Sequence, residues 1–149
     1  MTDQENRNSQ DVRLGLLLWF RLARFYNRSN RLSNQHLKKW DLSISQFDLL
    51  VQVGAHQSLS QQELAEKLLV SKGNITQVLG KLEKAGLIKR KQEWRIKHIS
   101  LTPAGQKLYD EVVPEQERFQ ATQFEGLNKR EQKQLLGLLK KLQLNSKEE

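Results

Sequence analysis

Cysteine is absent from the chain, which excludes disulfides, thiolate-held metals and a thiol nucleophile. Proline occurs twice in 149 residues, so few helices are interrupted. Long apolar runs are also missing: the longest, residues 14–20, falls far short of the roughly 20 residues that a membrane span needs. The polar opening MTDQENRNSQDVR lacks the basic-then-apolar layout of a signal peptide, and a cytoplasmic location is expected. His36, His56 and His98 are too scattered for a zinc site. There is no Gly-rich phosphate loop, nucleophile elbow or paired set of carboxylates. No enzyme, metal or cofactor is therefore expected. Negative charge is the minority, 17 acidic against 25 basic residues for a net +8, and the length fits one soluble domain whose partner is a polyanion.

Residues 60–101 concentrate that charge, with nine Lys or Arg against four Glu. Ser60 with Glu63 forms a capping box that starts a helix continued by Leu64, Ala65, Leu68 and Leu69. Ser71 supplies a second N-cap. In the following helix Ile75, Val78, Leu79 and Leu82 make one inward stripe. Gly73, Gln77, Gly80 and Lys84 then point outward, flanked by Asn74, Lys81 and Thr76. Gln and Asn amides pair bidentately with adenine, Lys donates to guanine or phosphate, and Thr offers a methyl and a hydroxyl. The two glycines lower helix propensity by roughly 1 kcal/mol each, which points to close approach of a partner to the backbone. Any solvated amphipathic helix also has a polar outer face, so this helix alone does not decide the matter.

The sequence beyond it does. Ala85-Gly86 is a helix C-terminus. Residues 87–91 and 96–101 read as two strands of a hairpin with Gln92-Glu93-Trp94-Arg95 at its tip, a wing beside a recognition-type helix. Arg95 suits a narrow, electronegative minor groove, and Glu93 is placed to hold its guanidinium.

Five patterns together resemble the MarR family of winged-helix transcriptional regulators. They are Leu42-Ser43-x-x-Gln46-Phe47-x-x-Leu50, Glu63-Leu64-Ala65-x-x-Leu68, Val70-Ser71-x-x-x-Ile75-Thr76, Leu82-Glu83-x-x-Gly86-Leu87-Ile88-x-Arg90 and Leu101-Thr102-Pro103-x-Gly105. The wing departs from the family's usual Asp-x-Arg, reading Glu93-Trp94-Arg95 in a shorter hairpin. The resemblance implies a single domain over 1–149, mainly α with a small β-hairpin wing. Its winged helix-turn-helix lobe spans 43–101, between dimerisation helices at 10–39 and 103–145. It also implies a homodimer on double-stranded DNA with an inverted-repeat operator, regulated through a small aromatic ligand between the dimerisation helices and the lobe. Oxidant sensing through cysteine is excluded. Asn74, Thr76 and Gln77 are the expected base readers. Ser71 and Gly73 join the DNA face, Lys72, Lys81, Lys84, Lys89, Arg90 and Lys91 meet phosphates, and Arg95 probes the minor groove. A sequence-tolerant architectural DNA-binding protein is the competing reading, and a winged-helix protein-interaction module a third.

Outside that region, a helix is expected from Asp11 to about Lys39 after a frayed start. It is apolar around most of its circumference, which implies burial against a partner chain. Arg21, Arg24, Arg28 and Arg31 share one of its faces, solvated or phosphate-binding. Ser43 with Gln46 caps the next helix. Thr102 with Pro103 opens one to about Glu125, broken or kinked before Pro114. Asn128 with Glu131 opens the last. Leu14, Leu17 and Leu18 with Leu135, Leu138, Leu139 and Leu142 are the expected dimerisation residues. Trp19, Phe20, Trp40 and Phe47 are either core or the lining of an apolar pocket.

Overall fold

The computed structural model describes residues 2–56, 58–68 and 72–145, of which Lys72 and Gly73 by backbone only. Its elements are α1 (Asp3–Leu37), a 3-10 turn (Lys38–Trp40), α2 (Ile44–Ala55), β1 (Leu59–Ser60), α3 (Gln61–Leu68), α4 (Lys72–Lys84), β2 (Ile88–Glu93), β3 (Ile96–Leu101), α5 (Pro103–Thr122) and α6 (Lys129–Asn145). The fold is mainly helical with a three-stranded antiparallel sheet in the order β1-β3-β2.

Three helix starts follow from local hydrogen bonding. Ser43 Oγ accepts from Gln46 N at 3.2 Å while Ser43 N donates to Gln46 Oε1 at 2.8 Å. Asn128 and Glu131 exchange the same pair of bonds, at 2.9 and 3.0 Å. Ser60 Oγ accepts from Glu63 N at 3.1 Å. Each satisfies N–H groups that a helix leaves without an internal partner.

Four expectations need correction. Helix α1 begins at Asp3, not Asp11, because the Glu5 carboxylate accepts from Thr2 N at 3.1 Å and stops fraying there. The hairpin gains a third strand: Leu59, for which no strand was expected, and Ser60, expected only as a helix cap, pair with Ile99 and His98. Helix α5 is continuous through Pro114, so of the break or kink expected there the break does not occur. It also ends at Thr122, whose hydroxyl donates back to the Phe119 carbonyl at 2.6 Å. The expected Leu69 and the Ser71 cap lie outside the described residues.

The core is built where α2, α3, α4, the sheet and α5 meet. Leu49, Leu50, Leu64, Ile75, Leu79, Leu82, Ile99 and Val112 are fully buried there, and Leu37 joins them from the end of α1. The inward stripe of α4 is therefore as read from its spacing. Gly54 allows α2 and α5 to close, since a Cβ on it would stand 2.4 Å from the Tyr109 ring. Between α1 and α2 the chain turns through Asp41, whose φ is 56°.

Candidate nucleic-acid interface

Helix α4 buries Ile75, Leu79 and Leu82 and leaves Asn74, Thr76, Gln77, Gly80, Lys81 and Lys84 exposed. Thr76 Oγ1 accepts from Gln61 Nε2 of α3 at 3.0 Å, which couples the two helices of the motif. Asn74 borders a small cavity with Ser45 and Asp48 of α2. Burial raises the Asp48 carboxyl above its ordinary range, because a charged carboxylate there has lost water. Sequence reading missed both Gln61 and Asp48, since each acts across a helix pair and neither breaks a local pattern.

The end of α4 fixes the wing. Gly86 has φ 76°. Its N–H donates to the Glu83 carbonyl at 3.0 Å, and Leu87 N donates to the Leu82 carbonyl at 3.0 Å. This pair of bonds is the Schellman arrangement that glycine permits. Thr102 closes the other side: its hydroxyl donates to the Gly86 carbonyl at 2.5 Å and accepts from Gly105 N at 3.0 Å. Its own N–H donates to the Leu87 carbonyl at 3.0 Å.

Within the wing, Arg90 is only partly exposed and its Nε lies 2.6 Å from Glu83 Oε2. It braces β2 against α4 and is poorly placed for the phosphate role expected of it. Lys91 Nζ lies 3.7 Å from Glu93 Oε1. Glu93 therefore serves Lys91 rather than holding Arg95, because alternate residues of one strand share a face. Among the described residues no carboxylate is within ion-pair distance of Lys81, Lys84, Lys89 or Arg95. Arg95 lines a cleft with Glu63 and Glu66 of α3.

The hairpin ladder extends to the pair Glu93–Ile96, so the tip is the two residues Trp94 and Arg95 rather than four. Trp94 adopts φ 59°, a conformation that costs a side-chain-bearing residue roughly 1 to 2 kcal/mol. Gln92 Nε2 donates to its carbonyl at 3.3 Å, and the indole is 96% exposed.

A second cluster lies where α1 meets α5. His36 Nδ1 is 2.7 Å from Gln116 Oε1. The His36 ring stacks on Phe119 with centroids 4.3 Å apart, and edge-on to Trp40 at 5.2 Å. Gln116 is fully buried, and its Nε2 has no hydrogen-bond partner among the described residues. The signal was present but unread: Gln116 follows Val112 by four residues and precedes Phe119 by three, a polar residue in an apolar stripe. The four aromatics named as possible pocket lining are separated. Phe47 is core and Trp40 packs against it, while Trp19 and Phe20 stand exposed on α1.

Comparison with known proteins agrees with this geometry. The MarR family profile matches residues 42–93. An HTH-type transcriptional regulator of Bacillus cereus is 47% identical over 138 residues, 92% of this chain and 94% of that one. The chain belongs to the MarR family. Its members named among these relatives are transcriptional regulators, not enzymes. A MarR-family regulator from Listeria monocytogenes, solved with a 26mer DNA, is similar at a TM-score of 0.74 and 28% identity, covering 85% of this chain and 87% of that one. BpsR of Bordetella bronchiseptica, whose DNA binding is regulated by 6-hydroxynicotinic acid, gives 0.75 and 26%, covering 81% and 90%. This MarR-family chain is thus a helix-turn-helix transcriptional regulator. Among the described residues no helix is long and apolar enough to cross a membrane, and no group of three His, Asp or Glu could hold a metal ion.

Proposed function

We propose that this MarR-family regulator represses transcription by binding an inverted-repeat operator as a homodimer. The observation that carries the proposal is the pairing of an exposed polar face on α4 with a basic wing locked to the same helix end. Two copies of α4 would enter successive major grooves about one helical turn apart. Asn74, Gln77 and the Thr76 methyl would meet base edges, since the Thr76 hydroxyl is engaged by Gln61. Lys72, Lys81, Lys84, Lys89 and Lys91 would meet phosphates. Gly73, in the first turn of α4, and Ser71, just before it in sequence, would join the DNA contact. The exposed leucines of α1 and α6 supply the dimer contact, and a dimer across two grooves occludes the promoter beneath it.

Selection of bound fragments from sheared genomic DNA tests this reading. An inverted repeat retained near physiological salt supports it. Fragments without enrichment that wash away as salt rises would instead indicate an architectural protein held by phosphate contacts. On the recovered site, Gln77→Ala is expected to relax preference at one base pair by about 1 to 3 kcal/mol. Lys91→Ala should weaken all sequences alike and flatten the salt dependence. Identical behaviour of the two variants in a binding titration would remove this division of roles.

Release by a small aromatic acid is the proposed regulation, supported by the control of BpsR by 6-hydroxynicotinic acid and by the unpartnered Gln116 amide beside the His36–Phe119 stack. A ligand that drew this amide into a bond would have to favour one arrangement of the junction over another. In a thermal-shift panel of hydroxylated aromatic acids, at least one is expected to raise the melting temperature of the wild type and not of Gln116→Leu. A panel without any rise counts against effector control.

A further inference from the structure

We infer that Trp94 is a minor-groove wedge: the tip of the wing presses an indole against a base step of the operator. This rests on the DNA-binding reading above. The first argument is energetic. An indole 96% exposed contributes no burial to the fold, while its φ of 59° disfavours folding. Trp94 is thus a net loss to the isolated protomer, and its return must come from something outside it.

The second argument is geometric. A two-residue turn with positive φ at its first position is the kind that normally carries glycine there. Here Gln92 Nε2 bonds the Trp94 carbonyl and holds the turn with the indole outward. The last rung shared with β1 is His98, opposite Ser60. Beyond it the hairpin continues through Gln92–Lys97 and Glu93–Ile96 to the turn, an overhang of about 10 Å. That matches a minor groove about 7.5 Å deep.

The third argument is chemical. Lys91, Arg95 and Lys97 flank the tip in sequence; of the carboxylates, Glu93 lies beside Lys91, while Glu63 and Glu66 line the cleft on the Arg95 side. Arg95 and Ile96 line that cleft, shared with α3, whereas Trp94 faces solvent at 96% exposure. Apolar side chains set among cations are the means by which minor-groove proteins unstack and kink a base step. Flexible pyrimidine–purine steps yield most easily to it.

The test uses the full chain, sheared genomic duplex and the duplex recovered by selection as probes, with Trp94→Gly and Trp94→Phe as variants. Glycine relieves the backbone strain, so Trp94→Gly should melt about 3 °C higher or more and yet bind the selected duplex about tenfold more weakly. The slope of affinity against salt should stay unchanged, because no phosphate contact is lost. Trp94→Phe should recover most of the affinity. Indole emission of the wild type, less that of Trp94→Phe, should be quenched on saturation with duplex, and energy transfer across the duplex ends should report a bend that Trp94→Gly lacks. Trp94→Gly with wild-type affinity, or unquenched emission on a duplex that the wild type binds, overturns the wedge alone. Failure of the wild type to bind either probe overturns the DNA reading and the wedge with it. Quenching by anionic lipid vesicles, or by protein concentration without DNA, would assign the indole to a membrane or to a second copy and overturn the proposal.

Discussion

Replacing Gly105 by alanine is expected to destabilise the protein by about 3 kcal/mol. A Cβ at this position would stand 2.0 Å from the Leu87 carbonyl oxygen, and that oxygen already accepts from Thr102 N at 3.0 Å. The clash is with backbone, so no side-chain rotation relieves it. Either α5 retreats from the end of α4 or the Thr102 cap breaks, and both outcomes unfix the wing root. Urea unfolding checks the size of the loss, with Gly80→Ala as the internal comparison. Nothing lies within 4 Å of a Cβ at Gly80, so alanine there should stabilise α4 by about 1 kcal/mol. An unchanged midpoint for Gly105→Ala would show that the α5 junction is more yielding than its close contact implies.

Glutamate at both Leu17 and Leu18 is expected to dissociate the proposed homodimer and weaken binding to the proposed operator by about 100-fold or more. In the protomer these residues are 51% and 63% exposed, amid Leu14, Leu16, Trp19 and Phe20, which are also open. A contiguous apolar surface of this size marks an interaction face. Each leucine buried there contributes about 1.5 to 3 kcal/mol, and every 1.4 kcal/mol is tenfold in affinity. Because both side chains are exposed in the protomer, the far-ultraviolet circular dichroism should hold while the mass by light scattering halves. A double variant that remains dimeric would remove Leu17 and Leu18 from the interface and shift attention to Leu138 and Leu142 of α6, likewise exposed.

What could be read in the chain before its structure was whatever depends on neighbours in sequence. The Ser43, Ser60, Thr102 and Asn128 caps, the Gly86 terminus and the Ile75–Leu79–Leu82 stripe all rest on contacts within a few residues, and each occurs as read. The misses share the opposite property. A two-residue strand has no alternation to detect, and Leu59–Ser60 is defined by its partner on β3. The Glu83–Arg90 pair joins a helix to a strand, so Arg90 looked like one more free cation. Glu93 was assigned to Arg95 by proximity in sequence, although strand geometry sends it to Lys91. Of the break or kink expected before Pro114, the break does not occur, and α5 is continuous from Pro103 to Thr122. The His36–Gln116 bond spans 80 positions, beyond any local pattern.

The bonds from Thr102 to Gly86 and Leu87 make α5 the handle of a lever. The recognition helix and wing are fastened to one end of it, while His36 presses on its far half through Phe119 and Trp40 reaches its middle through Glu111. Twenty helical residues span about 30 Å. A tilt of about 4° at the far end, produced by a rearranged side chain and no unfolding, therefore sweeps the wing root through about 2 Å. Two such arms swinging in opposite senses across a symmetric dimer would put both reading heads out of step with the pitch of the duplex at once.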